Sequence, residues 1–110
     1  MRKCLLLAVG LSLAACSAAP VPADKAAYVG AWKGVGIELT ITADGGLKYE
    51  KVSGSGTKSL NAPIKEWKGA DFVAGLGPMT TTFKVDRPPY EEGGKWRMVV
   101  DGNELVRVMP

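Results

Sequence analysis

The residue with the clearest chemistry is Cys16, one of two cysteines among 110 residues. Its thiol directly follows Leu13 and the two small residues Ala14 and Ala15, and small residues before a cut fit the narrow site of a processing protease. The second cysteine, Cys4, lies in an apolar run near the N-terminus. A cut before Cys16 would remove Cys4 and leave one thiol. That excludes an internal disulfide, so the chemistry open to Cys16 is the attachment of another group.

The segment around these residues has the layout of a cleavable signal peptide, predicted over 1–15. Arg2 and Lys3 form a basic start. The apolar run that follows, over 4–13, is too short for a membrane-spanning helix, which needs about 20 residues. An ordinary signal peptide followed by an incidental cysteine is the alternative interpretation.

The stretch Leu13-Ala14-Ala15-Cys16 resembles the lipobox of bacterial lipoproteins. The resemblance implies cleavage between Ala15 and Cys16, acylation of Cys16, and a membrane as partner through the acyl chains. Because Ser17 rather than Asp follows the cysteine, it also implies an outer-membrane location facing the periplasm or the cell surface. The resemblance thus implies a lipidated N-terminus for the segment 16–27, and its small, proline-bearing residues predict a flexible, extended tether.

Composition narrows the function of the remaining domain, 28–110. The chain has no histidine, which excludes His-based acid–base catalysis and His-ligated metals. Removal of Arg2 and Lys3 takes 2 from the 14 basic side chains, leaving 12 scattered against 11 acidic ones, so nucleic acid is not expected as a partner. Glu91 and Glu92 are adjacent solvated charges, and no phosphate-binding loop or nucleophile elbow is present. We therefore expect neither enzymatic activity nor a cofactor.

Residues 28–110 are predicted to be all-β. Gly and Pro clusters interrupt the chain roughly every 8–12 residues, and the segments between them alternate polar and apolar residues. Eight or nine short strands joined by sequential hairpins predict a small antiparallel up-and-down barrel. The longest irregular stretch is expected at 86–94. Four residues of the preceding segment are expected to share one face: Met79, Thr81, Phe83 and Val85.

The clearest local prediction is a hairpin over 37–51. Its turn, Ala43-Asp44-Gly45, has glycine at the position that favours a left-handed backbone. The resulting register puts Ile41 opposite Leu47 and Leu39 opposite Tyr49, all on one face. Turn chemistry and hydrophobic pattern therefore agree.

Gly30 and Trp32, within Tyr28-Val29-Gly30-Ala31-Trp32, resemble the G-x-W entry of lipocalins. The resemblance implies a lipocalin-like barrel, closed at one end by Trp32 packed against an arginine of the last strand, here Arg107. A two-residue turn at Asp101-Gly102 or Gly102-Asn103 would place Arg107 on the inner face with Trp96 and Met98. A three-residue turn ending in Gly102 would expose it; we favour the shorter turn.

The stretch Ser53-Gly54-Ser55-Gly56-Thr57-Lys58, followed by Trp67-Lys68-Gly69, resembles the signature of membrane-bound lipoprotein inhibitors of c-type lysozyme. These are small lipidated barrels that insert a loop bearing Ser and Lys into the acidic cleft of the enzyme. The resemblance implies Ser55 or Ser53, together with Lys58, as contacts to the catalytic carboxylates. Ser59 replaces the aromatic residue of that signature, and the family's disulfide has no counterpart. A Gly- and Ser-rich turn with no binding role is the alternative.

Tyr90, beside Pro88-Pro89, is a further candidate contact to a partner, with packing inside its own loop as the alternative. The function predicted from the sequence is that of a non-enzymatic, lipid-anchored envelope lipoprotein that binds an envelope partner or a small apolar ligand. Inhibition of c-type lysozyme is the alternative function.

Overall fold

The computed structural model describes residues 19–108, which form an all-β domain of nine antiparallel strands. The strands are β1 Gly30–Gly34, β2 Ile37–Ile41, β3 Gly46–Ser53, β4 Gly56–Lys68, β5 Asp71–Leu76, β6 Met79–Phe83, β7 Val85–Glu92, β8 Lys95–Val100 and β9 Asn103–Val108. A 3₁₀ helix, Ala23–Tyr28, precedes them. The predicted signal peptide, with Ala15 and Cys16, lies outside the described residues.

The strands form one curled sheet in the order β6-β5-β4-β3-β2-β1-β9-β8-β7. Its two edge strands, β6 and β7, follow each other in the chain with only Lys84 between them. At this corner the Val85 amide donates to Asp71 Oδ1 at 2.7 Å, and the Lys84 amide donates to Asp101 Oδ1 at 3.1 Å. The pairing partner of the chain thus changes at Lys84, from β5, which pairs with β6, to β8, which pairs with β7. The strand order confirms the up-and-down arrangement.

The predicted hairpin over 37–51 is present with the predicted register. β2 and β3 pair Leu39 with Tyr49 and Ile41 with Leu47. Gly45 has a φ of 95°, so the turn uses the left-handed backbone that glycine adopts without strain. Leu39, Ile41 and Leu47 are buried, because alternate residues of a strand share a face.

The prediction of an irregular stretch at 86–94 is wrong, because β7 occupies most of it. The prolines Pro88 and Pro89 cannot donate to a ladder, yet β7 lies at a sheet edge, where one side needs no donors. The register against β8 shifts between Arg87 and Tyr90, around these prolines. β4 is one long strand whose partner changes from β3 to β5 between Pro63 and Ile64. Its register against β5 shifts between Ile64 and Glu66.

The core fills the inside of the curled sheet. Its largest fully buried side chains are Trp32, Phe72, Phe83, Leu39, Ile41, Met98 and Leu105. Phe83 stacks on Phe72 with ring centroids 5.1 Å apart. The expectation that Met79 and Thr81 share the buried face with Phe83 and Val85 is wrong for the first two. Met79 and Thr81 are exposed. At Met79 the β5–β6 hairpin extends beyond the core, since its partner Leu76 is exposed as well.

The tether predicted over 16–27 is also corrected, because the chain is already docked at Val21. The Val21 amide donates to the carbonyl of Ala43 at 3.0 Å. Within the 3₁₀ helix, Lys25 Nζ donates to the carbonyl of Gly69 at 2.7 Å, and Tyr28 Oη donates to the carbonyl of Ala70 at 2.9 Å. Small residues allow this close approach to the sheet. Val21 and the 3₁₀ helix therefore belong to the folded domain rather than to a tether.

Candidate functional site

The β3–β4 hairpin carries the predicted contact residues Ser53, Ser55 and Lys58 at its tip. Ser53 pairs with Gly56, so Gly54 and Ser55 form a two-residue turn. The Val52 amide donates to the carbonyl of Gly36 at 2.8 Å in the β1–β2 turn, which places the tip just beyond that turn. All residues from Lys51 to Ser59 are exposed. The candidate contacts are therefore brought together at an accessible point of the barrel rim.

Two lysines face each other across this hairpin. Lys51 is the direct cross-strand partner of Lys58, and both are exposed. Lys51 lies two residues beyond Tyr49, so the pair shares the inner face of the sheet as it extends past the core. Neither lysine takes part in an ion pair within residues 19–108. Two like charges directly opposite each other destabilise a strand pair by about 0.2–1 kcal/mol.

Two serine hydroxyls lie beside this lysine pair. Ser53 Oγ and Ser55 Oγ are 3.1 Å apart, and Ser53 Oγ also donates to the carbonyl of Gly56 at 3.4 Å. Together with Lys51, Lys58 and Thr57, they border an open groove of about 360 Å³. The groove offers ammonium and hydroxyl donors, which suit carboxylates or other anionic oxygens of a partner.

The opposite end of the barrel is closed by an aromatic and cationic stack. Arg107 lies opposite Trp32 in the β1–β9 pair, and its guanidinium carbon is 5.7 Å from the Trp32 ring centroid and 5.1 Å from that of Trp96. The two-residue turn at Asp101 and Gly102, with φ of 49° and 78°, produces this placement and confirms the shorter-turn alternative.

Gly30 makes room for this arginine. A Cβ at Gly30 would lie 2.7 Å from Arg107 Cδ, and its φ of 141° is unfavourable for residues with a side chain. The Arg107 guanidinium in turn lies within 3.5 Å of the Ala27 and Val29 carbonyls at the end of the 3₁₀ helix. Gly30, Trp32 and Arg107 therefore act as one structural unit that seals this end.

The interior of the barrel has little space for a ligand. The cavity bordered by Ile37, Tyr49 and Leu105 has a volume of about 10 Å³, which is near the limit for a single water molecule. Burial raises the pKa of the Tyr49 hydroxyl, and the nearby carboxylate of Asp101 adds to the effect. Tyr49 therefore stays neutral at physiological pH and serves as part of the packing at the barrel mouth.

Tyr90 packs against its own sheet. The Arg87 guanidinium carbon lies 3.7 Å from the Tyr90 ring centroid, and Tyr90 Oη donates to Glu104 Oε2 at 3.4 Å. The ring is half-buried, so the packing alternative accounts for this residue. The adjacent Glu91 and Glu92 occupy successive positions of β7 and point to opposite faces; Glu92 lies 3.9 Å from Arg97.

The sequence interpretation does not include Lys51, although a two-residue turn at Gly54-Ser55 predicts it opposite Lys58. Trp96, expected on the inner face with Arg107, lies half-buried against that arginine. Across residues 19–108 no cluster of acidic or cysteine side chains suits a metal ion. The same part of the chain contains no helix long and apolar enough to cross a membrane.

Comparison of this chain with protein-family models, with curated proteins and with solved structures gave no match.

Proposed function

We propose that this chain is a lipid-anchored outer-membrane lipoprotein whose β domain is a non-enzymatic binding module for an acidic protein partner. The binding site is the tip of the β3–β4 hairpin. The observation that carries the proposal is the cross-strand pair of Lys51 and Lys58, which lies at an exposed rim and has no ion-pair partner among residues 19–108. The cellular address rests on Leu13-Ala14-Ala15-Cys16, followed by Ser17.

The lysine couple supports a binding role because it is unfavourable for the isolated domain. A strand pair is stabilised by opposite charges and weakened by like charges placed face to face. Local choices that work against stability are typical of functional sites. A carboxylate from a partner would lie between two ammonium groups and relieve their repulsion. The hydroxyls of Ser53 and Ser55 add donors next to them.

A protein partner fits the structure better than a small apolar ligand. The barrel interior is occupied by Trp32, Phe72 and Phe83, and the cavity at its mouth is only about 10 Å³. Sites for small molecules usually enclose roughly 300–1,000 Å³ and bury most of the ligand surface, which this interior cannot do. The groove at the hairpin tip is open and polar, which suits the edge of a protein surface.

Inhibition of c-type lysozyme is the more specific candidate. A protruding tip with two lysines and two serines has the chemistry to enter a cleft that holds a pair of catalytic carboxylates. Lysozyme is a retaining glycoside hydrolase, and such enzymes keep the two carboxyl groups about 5–5.5 Å apart. This is close to the roughly 4.8 Å between the neighbouring strands that carry the two lysines. Support also comes from the resemblance of residues 53–58 to the inhibitor signature.

The test measures hydrolysis of bacterial cell walls by a c-type lysozyme in the presence of the mature domain. Inhibition that is lost in Lys58→Glu but retained in Lys48→Glu would establish the candidate. Lys48 is exposed on the opposite face of β3, so it controls for the change in net charge. Without inhibition by the unmodified domain, the partner is a different acidic protein, to be sought by capture from envelope extract with the same pair of variants.

A further inference from the structure

We propose that the end of the domain carrying the 3₁₀ helix rests on the lipid bilayer. At this end a groove lined mainly by Val106, Val108, Trp96, Lys33 and Lys95 would contact the headgroup region. This inference rests on the acylation of Cys16 proposed above and adds an orientation and a lipid-contacting surface. We call this surface the basal groove.

The chain between Cys16 and the folded domain is short. Val21 is bonded to Ala43 by a backbone hydrogen bond of 3.0 Å, and only five positions separate it from Cys16. At full extension a residue spans no more than about 3.6 Å, so Val21 lies within roughly 18 Å of an acylated Cys16. The end of the barrel at Ala43 is therefore kept close to the membrane.

The basal groove lies at the same end of the barrel as Ala43. The last residue of β2, Ile41, pairs with Gly30, and the next residue of β1, Ala31, pairs with Val108. Val108 is thus at the same end as Ala43 and two strands away from β2. Neighbouring strands are about 4.8 Å apart, which gives a lateral separation on the order of 10 Å.

The basal groove combines an apolar lining with lysines at its border. It has a volume of about 350 Å³ and exposes mainly apolar surface. Val108 is 40% exposed, and Trp96 is half-buried. Lys95 is exposed, and Lys33 makes only a 3.8 Å contact to Glu38 at the surface. Tryptophan flanked by lysines is the composition that favours the membrane–water interface, where ammonium groups meet lipid phosphates.

The geometry favours a bilayer over a protein as occupant. With Val21 within roughly 18 Å of the acylated residue, the space between this end of the barrel and the membrane is too narrow for a folded domain. The β3–β4 hairpin projects in the opposite direction. β3 alone, with eight residues at about 3.3 Å each, carries its tip some 25 Å further from the bilayer. The tip is then free for a partner.

The test places a fluorescent label at either end of the acylated protein. Val108→Cys and Ser55→Cys each add one reactive thiol, because the thiol of Cys16 carries the lipid. The labelled proteins are bound to vesicles of phosphatidylcholine and phosphatidylglycerol whose headgroups carry a spin-label quencher. We expect the label at 108 to lose most of its emission and the label at 55 to keep it. Lys33→Glu combined with Lys95→Glu should weaken quenching at 108.

Flotation of the protein with the vesicles gives a separate measure of anchoring. Protein that floats while neither label is quenched would overturn the proposal, since the domain would then stand away from the bilayer and leave the basal groove to a protein. Equal quenching of both labels would overturn the orientation. Protein that fails to float would show that Cys16 carries no lipid anchor, and this would overturn the inference. Binding of a protein partner by the hairpin is tested separately by its own assay.

Discussion

Arg107 lies opposite Trp32 across the β1–β9 pair, with its guanidinium carbon 5.7 Å from the indole centroid. Trp96 flanks the same guanidinium on the other side, at 5.1 Å. Arg107 thus connects the core to the end of the 3₁₀ helix, where the carbonyls of Ala27 and Val29 lie within 3.5 Å of its Nη1 atom. This contact closes the end of the barrel from which the chain leads back to Cys16.

Arg107→Ala should lower the free energy of unfolding by about 1–3 kcal/mol. The loss combines cation–π contacts in a partly buried place with hydrogen bonds to two carbonyls. Urea unfolding followed by tryptophan emission measures it, and the emission of the folded state should also shift. Arg87→Ala is the matched control, because Arg87 stacks on Tyr90 at an exposed edge and should cost less than about 1 kcal/mol. Equal losses would refute a special role for Arg107.

Leu39→Ala and Thr40→Ala test the register of the β2–β3 hairpin. Leu39 is 1% exposed, and truncation of a buried leucine costs about 2–5 kcal/mol. Thr40 points to the other face and is half-buried, so its loss should cost well under about 1 kcal/mol. Chemical unfolding of the two variants should separate them clearly. Similar costs for both would show that the inner and outer faces are assigned wrongly.

Cys16→Ala tests the lipid anchor. Cells that express the unmodified protein should incorporate labelled palmitate into it, because a thiol at the new N-terminus accepts the acyl chains. The variant should carry no label and should leave the membrane fraction. Label that persists in Cys16→Ala would contradict the lipobox interpretation. Ser17→Ala keeps the thiol and serves as the control for processing of the precursor.

Lys58→Glu should move stability and binding in opposite directions. The change converts a like-charge pair with Lys51 into an attractive one, so the free energy of unfolding should rise by about 0.2–1 kcal/mol. Binding to an acidic partner should weaken by about 2–5 kcal/mol, roughly 30-fold or more. Lys48→Glu, opposite Asn61, lacks the repulsive neighbour and should change neither quantity much. A destabilised Lys58→Glu domain would contradict the repulsion on which the proposal depends.

The sequence predicts most of the strands because local signals and tertiary structure agree there. In the β2–β3 hairpin, Gly45 and the alternation from Ile37 to Tyr49 specify the same register. The placement of Arg107 depended on the length of one turn. That length was open between two alternatives, and the structure decides for the shorter one.

The wrong predictions share one physical cause, which is that sheet position is a tertiary property. Pro88 and Pro89 predict a loop because prolines would interrupt a central strand. β7 tolerates them because it lies at the edge of the sheet. Met79 is exposed together with its partner Leu76, where the β5–β6 hairpin extends beyond the core, and the alternating pattern of β6 does not reveal this. The docking of Val21 on Ala43 is a contact between segments that are 22 positions apart, and local composition carries no sign of it.

The most direct test of the proposed function is photo-crosslinking in cells from the two faces of β3 and its hairpin. A photoreactive amino acid replaces Ser55 at the tip or Lys48 on the outer face, both of which are exposed. The account predicts a crosslinked envelope protein from position 55, abolished when Lys58→Glu is added, and no product from position 48. No product from 55, or the same product from both positions, would contradict binding by the hairpin tip.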